Sequence, residues 1–303
     1  MTGATGFLGK HLCAALAKQG HQILGVSSKD CDLTSGEALK VFDSYSFDQI
    51  FHLAAWTQAG DFCLRHPGEQ WLINQKINTN VLHWWVEKQP QAKLIAMGTS
   101  CSYDPAAHLV EEEYLKGLPI DSLFTYAMTK RMLLTGLMAI QKQFGLDYLY
   151  LIPSTLYGAG YHEDGRQMHF IFDLVRKILR GSLYKEPVVL WGNGEQKREL
   201  IHVMDFIEAM LHLVQNEKNG WVNVGSGEEY SIRQFATFIC EIVGYPTDLI
   251  QYDLSRYVGA KSKVLDVKKL KKIFPSFSPR PLKSGLEEVV EWFLKREKTL
   301  LGV

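Results

Sequence analysis

From the first residues to about Leu151, short apolar runs alternate with amphipathic stretches of helical length. A strand followed by a covering helix, repeated, is the pattern of a parallel sheet buried on both faces. Gln22–Val26, Gln49–Leu53, Leu94–Met97 and Tyr148–Ile152 are predicted strands, and Phe7–Gln19, Gly36–Ser44, Gln70–Lys88 and Leu123–Phe144 predicted helices. Beyond Pro153 the alternation loosens into a Gly-rich stretch at Gly158–Gly165, a helix near His169–Arg180, a strand at Val188–Trp191, a helix near Val203–Gln215 and an apolar run at Trp221–Val224. Later helices are predicted at Ser231–Val243 and Lys283–Lys295, the second opening after Pro281 and closing in a basic turn.

At 303 residues the chain has room for two domains of the usual ~150 residues, each with its own core. Lys plus Arg and Asp plus Glu each number 33, so no basic field exists to follow a phosphate backbone and no nucleic-acid partner is expected. No apolar run approaches the ~20 residues that span a bilayer, so no membrane partner is expected either. The five cysteines, Cys13, Cys31, Cys63, Cys101 and Cys240, are scattered without metal-ligand spacing, and nothing at the N-terminus reads as a signal peptide. The expectation is a reduced, cytoplasmic protein with no metal.

The run Thr2-Gly3-Ala4-Thr5-Gly6-Phe7-Leu8-Gly9 opens the first predicted helix with glycines three apart. Gly3 permits a tight turn, Gly6 lets the backbone approach a pyrophosphate, and Gly9 allows close helix packing; the helix N-terminus adds amides and a positive dipole end. These features predict a Rossmann-type doubly wound α/β parallel sheet over residues 1–157, the chain returning to it at 199–219, with a smaller α/β substrate-binding domain at 158–198 and 220–303. The strand that should precede the loop is absent from the chain, so an upstream extension is expected to supply an apolar central strand. An acid about 20 residues beyond the loop would bind the ribose 2′-hydroxyl of NAD. Ser27, Ser28 and Lys29 stand there instead. Hydroxyls and a cation suit a 2′-phosphate, so NADP(H) is favoured, and Asp30 keeps NAD(H) open.

Tyr126 and Lys130 lie four apart on one face of a predicted helix. An ammonium beside a phenol is expected to favour phenolate and make the phenol a usable proton carrier near neutrality. Together with Gly3, Gly6 and Gly9, this pair resembles the extended short-chain dehydrogenase/reductases. His52-Leu53-Ala54-Ala55 is similar to a segment of that group, and Thr99 in Gly98-Thr99-Ser100-Cys101-Ser102-Tyr103 falls on its catalytic hydroxyl. Within the group the chain is most similar to the GDP-L-fucose synthase family, through Gly98-Thr99-Ser100-Cys101, Pro153-Ser154-Thr155-Leu156-Tyr157-Gly158, Val189–Gly194, Arg198–Val203, Val222–Gly227 and Lys263–Val267. Thr155 stands where that family has Asn, and Trp56–Gly60 differs from its loop.

The resemblance implies NADP(H)-dependent 3,5-epimerisation and 4-keto reduction of a GDP-4-keto-6-deoxy sugar, with Thr99, Tyr126 and Lys130 as the reducing triad and Cys101 and His169 moving protons at carbons 3 and 5. Both of these last side chains can titrate near neutral pH when tuned by their neighbours. The resemblance also implies cofactor contacts from Thr5, Phe7, Leu8, Asp32, Leu33, Leu53, Ala54, Ala55 and Pro153, substrate contacts from Thr155, Lys177, Trp191, Arg198 and Lys263, and a homodimer through a four-helix bundle. Trp84 and Trp85 are candidates for that contact. A C4 reductase, an epimerase of another nucleotide sugar without double inversion, and a non-catalytic cofactor-binding sensor are the alternatives. Glu111-Glu112-Glu113 reads as a solvated acidic turn.

Overall fold

The computed structural model describes residues 1–162, 164, 166–255 and 260–301; Gly165, the end of the Gly-rich stretch, lies outside the described residues. The first half contains α1 (Phe7–Lys18), β1 (Gln49–His52), α2 (Phe62–Arg65), α3 (Pro67–Lys88), β2 (Lys93–Met97), α4 (Phe124–Phe144) and β3 (Tyr148–Pro153). Then come β4 (Thr155–Tyr157), α5 (Phe170–Tyr184), β5 (Val189–Trp191), β6 (Lys197–His202), α6 (Val203–Asn216), β7 (Gly220–Val224) and β8 (Glu229–Ser231). The chain closes with α7 (Ile232–Val243), β9 (Gln251–Asp253), α8 (Lys268–Ile273) and α9 (Leu282–Leu301).

The main sheet has the order β1-β2-β3-β7, all parallel. Phe51 lies opposite Ile95, Ile95 opposite Leu149, and Leu151 opposite Val222. Leu94, Ile95, Ala96 and Leu149–Ile152 are buried on both faces, which is why these strands read as unbroken apolar runs. Thr2 bridges Val26 on one side and His52 on the other, so Met1 and Thr2 hold the position between the Gln22–Val26 run and β1. The Met1 ammonium donates to Leu24 O at 2.7 Å and Val26 N to Met1 O at 2.9 Å. Gln22–Val26 makes one bridge, through Val26, rather than the predicted strand.

Two other expectations change. Over Gly36–Ser44 the amides of Ala38, Lys40, Phe42 and Asp43 each bond three residues back, so tight turns around one short 3₁₀ helix at Lys40–Phe42 replace the predicted helix. The helix predicted from Gln70 starts at Pro67, a first-turn position that needs no amide hydrogen.

β4, β6 and β8 form a small mixed sheet, and β5 pairs with β9. One core surrounds the main sheet and a second gathers α5, α7 and α9. The returning segment does not stop at residue 219: β7 pairs with β3, and Leu265, Val267, Leu270 and Phe277 also pack into the first core. Phe7 joins the two, edge-on to Tyr161 at 5.3 Å and Phe172 at 5.9 Å. The acidic turn is also corrected. Glu111 is buried, accepts a hydrogen bond from Asn223 N at 2.9 Å, and burial pushes its carboxyl up.

Candidate active site

The glycine loop separates packing from ligand space. Gly3 has φ +68°, and a Cβ there would lie 2.9 Å from Ala54 N; a Cβ on Gly9 would run into Gly3 O and Ala4. A Cβ on Gly6 would touch Gly3 O alone, at 3.3 Å. Gly6 therefore opens onto free space at the N-terminus of α1, which has neither a side-chain cap nor an acid in its first turn. Uncapped amides and a positive dipole end fit a pyrophosphate. Lys130 is buried and pushed down to about 8 by burial, and among the described residues no carboxylate pairs with it. An ammonium so placed fits ribose hydroxyls.

The rim expected to hold the adenosine ribose runs through Ser27–Lys29. Asp30 accepts from Ser27 Oγ at 2.6 Å and Ser27 N at 3.3 Å, so its carboxylate closes the turn. Ser28 and Lys29 are exposed. Asp32 closes a second turn through Thr34 N at 3.0 Å and Thr34 Oγ1 at 2.8 Å, and Leu33 O accepts from Asn80. Leu53, Ala54 and Ala55 follow β1, and Pro153 ends β3. Ala54 N donates to Thr2 Oγ1 at 3.2 Å.

Thr99 sits where β2 ends, and its Oγ1 accepts from Cys101 N at 3.2 Å. Lys130 Nζ lies 5.9 Å from the Tyr126 ring centroid. Contrary to the expectation from sequence, Lys130 does not favour a phenolate. Burial, then Cys101, Tyr114 and Cys63, push the Tyr126 phenol up, and the Thr99 hydroxyl opposes them. Tyr126 is thus a protonated phenol at neutral pH, the form that donates to an alkoxide.

Cys101 meets Lys263, whose Nζ lies 2.8 Å from Sγ. Burial alone would raise the thiol, but the Lys263 ammonium, the Thr99 hydroxyl and the Arg198 charge outweigh it and hold Cys101 below its ordinary value. His169 starts α5, and its side chain makes no capping bond. The residue is exposed, and the protein around it, then Lys263 and His162, push the imidazole down to about 4. Lys263 therefore acts on both candidate proton carriers.

The remaining substrate candidates line β4 to β6. Thr155 is half-buried opposite Leu200, and Arg198 Nη1 donates to Lys197 O at 2.7 Å and Ala260 O at 2.8 Å. Lys177 pairs with Asp173 at 2.8 Å and sits 6.0 Å from the centroid of the exposed Trp191 ring.

Several residues outside the sequence motifs support the site. Tyr150 Oη donates to Lys130 O at 2.8 Å, so Tyr114 Oη donates to Tyr150 Oη at 2.9 Å and accepts from Thr99 N at 3.3 Å. Two phenols thereby tie the Thr99 amide to the Lys130 carbonyl. Asn74 clasps Trp56 N and Trp56 O at 2.9 Å each, and Gln70 reaches Thr57. The signal for these was present: Gln70, Asn74 and Asn78 form a polar stripe at helical spacing and all are buried.

The comparisons extend over the same residues. The chain is 27% identical over 317 residues to GDP-L-fucose synthase of Escherichia coli (strain K12), covering 100% of this chain and 98% of that protein. It is 26% identical over 318 residues to dTDP-4-dehydro-6-deoxy-D-allose reductase of Streptomyces bikiniensis, covering 97% and 95%. A GDP-L-fucose synthetase from Naegleria fowleri superposes with a TM-score of 0.87 at 24% identity over 98% of this chain and 93% of that one. The structure of a Naegleria fowleri GDP-L-fucose synthetase bound to NADP gives 0.85 at 25%, covering 98% and 94%. The match of residues 1–225 to the NAD dependent epimerase/dehydratase model runs from the glycine loop through Thr99, Tyr126 and Lys130 to the end of the main sheet, and the chain belongs to that family.

Proposed function

We propose that this enzyme reduces the 4-keto group of a nucleotide-diphospho sugar with NADP(H), ahead of NAD(H), after Cys101 and His169 invert carbons 3 and 5 of a GDP-4-keto-6-deoxy substrate. The observation that carries the reading is the Lys263 contact with Cys101: a thiol held low sits two residues from Thr99, beside a protonated Tyr126. The relatives named for nucleotide-sugar chemistry, and the one bound to NADP, support the substrate and cofactor classes. Asp30 bonds Ser27 through Oδ2, and the exposed Ser28 hydroxyl and Lys29 cation beside it favour the phosphorylated dinucleotide.

A bound dinucleotide would supply hydride. Residues 1–157, with the returning chain through β7, would hold it, with the α1 amides for its phosphates, Lys130 for its ribose, and Ser28 and Lys29 for its outer edge. Arg198, Trp191, Lys177 and Thr155 line the nucleotide-sugar side. A 4-keto group acidifies the hydrogens at carbons 3 and 5; Cys101, as thiolate, removes one, and His169 delivers a proton from the opposite face. Thr99 and Tyr126 then hold the carbonyl oxygen, and Tyr126 protonates the alkoxide.

A second reading is reduction at carbon 4 without inversion, supported by the surroundings of His169 and by the Lys263 charge, which act against protonation of its imidazole. Turnover of GDP-, UDP- and dTDP-linked 4-keto sugars with NADPH in deuterated water separates the two. Deuterium at carbons 3 and 5 with the mass gain of reduction supports inversion; reduction without deuterium supports the second reading; no turnover of any of them overturns both.

We further propose a homodimer through α3 and α4. Their outer faces show Leu72 at 60%, Met132 at 43% and Phe124 at 39% exposure beside Trp71 and Met128. Trp85 is buried and donates to Ala92 O, which takes it out of that contact, while Trp84 is half-buried and donates to Asp43.

A further inference from the structure

Glu199 is 3% exposed, yet it is an acid on the strand next to the substrate residues. Its Oε1 accepts from Gly227 N at 2.7 Å and its Oε2 from Leu265 N at 2.8 Å, with the Ser226 amide also bonding it. A buried carboxylate is costly unless donors surround it, and here they are built in. Gly225 has no positive φ, and a Cβ on it would strike the Glu199 carboxylate, so that glycine is needed for the acid's space. Two sequence segments, Arg198–Val203 and Val222–Gly227, thus form one device through Glu199, a residue to which no role has been assigned.

The device grips the segment that carries Lys263. Lys197 N bonds Lys261 O at 2.8 Å, Arg198 bonds Ala260 O, and Ser262 bonds Glu229 on one side of that lysine; Asp266 N bonds Leu109 O at 3.0 Å on the other. The Glu199 bond to Leu265 is the buried hold nearest to it. Two residues away, Lys263 Nζ lies 2.8 Å from Cys101 Sγ.

We infer that Glu199 is a positioning residue that acts on Cys101 through Lys263, fixing the 260–267 segment so that the ammonium stays against the thiol. This rests on the reading of Cys101 as the base, but the readout is the thiol itself. The charged and titratable groups facing Cys101 are Lys263 and Arg198, with Tyr126 and Cys63 beside it. Burial pushes Glu199 up to about 7 against the pull of its amides and of Lys263.

The test is peptide-resolved alkylation of the full chain by iodoacetamide across about pH 5 to 9, where a thiolate reacts and a thiol does not. In the parent, Cys101 reacts at lower pH than Cys13, which burial pushes up. Glu199→Gln, Gly225→Ala and Lys263→Met are each expected to move the Cys101 profile upward, with roughly tenfold slower reaction at neutral pH, while Cys13 keeps its profile and reports an intact fold. A through-space charge effect of Glu199→Gln has the opposite sign, because removing negative charge favours the thiolate. Gly225→Ala leaves the charge in place and tests the grip even where Glu199→Gln does not fold. An unchanged or lowered Cys101 profile in a folded Glu199→Gln or Gly225→Ala protein, or in Lys263→Met, overturns the inference. If Cys101→Ser still exchanges deuterium at the parent rate, the catalytic reading fails while the alkylation result stands.

Discussion

Tyr126 is a donor held protonated by its surroundings, and Cys101 is a thiol held toward thiolate by Lys263, so the two functions separate by substitution. Tyr126→Phe removes the proton that meets the alkoxide; reduction should fall by the ~10²–10⁴ typical of acid and base groups, with exchange at carbons 3 and 5 retained. Cys101→Ser keeps the side chain's size but raises its pKa far above neutral, so mass spectrometry should find a sugar reduced at carbon 4 without deuterium. Deuterium at the parent rate would make Cys101 a packing residue. Lys130, lowered to about 8 by burial, is an ammonium at pH 7 and loses its proton as pH rises through about 8. The rate of reduction is therefore expected to fall above about pH 8, and Lys130→Arg, which stays charged, should give a slower enzyme whose alkaline limb is flat. A parent rate constant to about pH 10, where an ordinary lysine titrates, sinks this role.

Among the elements, the glycine loop permits a clean division. Gly9→Ala drives a methyl into Gly3 O and Ala4 and should lower the melting temperature, whereas Gly6→Ala meets Gly3 O alone and should melt like the parent while losing NADPH binding, followed by nucleotide fluorescence. Equal loss of stability in both would remove the pyrophosphate reading of Gly6. At the outer edge, Lys29→Glu should shift affinity from NADPH toward NADH by exchanging an exposed cation for an anion, and equal parent affinities for the two would overturn the preference. This loop was legible because its spacing is local: turn, approach and packing all fall within eight residues. The same holds for α4, which carries Tyr126 and Lys130 one turn apart. Gly36–Ser44 was misread because its apolar pattern fits successive 3₁₀ turns as well as a helix. β6 was recognisable only as a motif, since Lys197–His202 mixes charged and apolar residues and becomes a strand by pairing with β4 and β8. Glu111 read as a surface acid because its partner is a backbone amide far along the chain, which no local pattern encodes, and the amides that hold Glu199 are equally remote.

For the whole molecule, the chain threads both cores more than once, and buried titratable groups couple its stability to pH. His52 is held neutral, down at about 4, chiefly by burial; Nε2 donates to Asn78 Oδ1 at 3.1 Å and Nδ1 accepts from Thr2 at 2.9 Å. A base lowered in the fold contributes fully above its unfolded value of 6.5 and loses that contribution as pH falls toward 4. His52→Gln should thus melt below the parent at pH 7, the gap narrowing between 6.5 and 4; a gap constant with pH would show that His52 does not titrate there. Assembly is the other property of this scale. α3 and α4 pack on each other and on the sheet, yet leave Leu72, Phe124 and Met132 outward. Two copies related by a two-fold axis would cover this face with itself, since a self-complementary patch closes a dimer. A charge placed there costs the isolated subunit little, because the side chains it replaces are exposed. Leu72→Asp with Met132→Glu should therefore keep the parent far-ultraviolet spectrum and shift the mass by light scattering from two chains to one. A parent that already scatters as a single chain removes the dimer. A double variant that remains dimeric moves the interface away from α3 and α4.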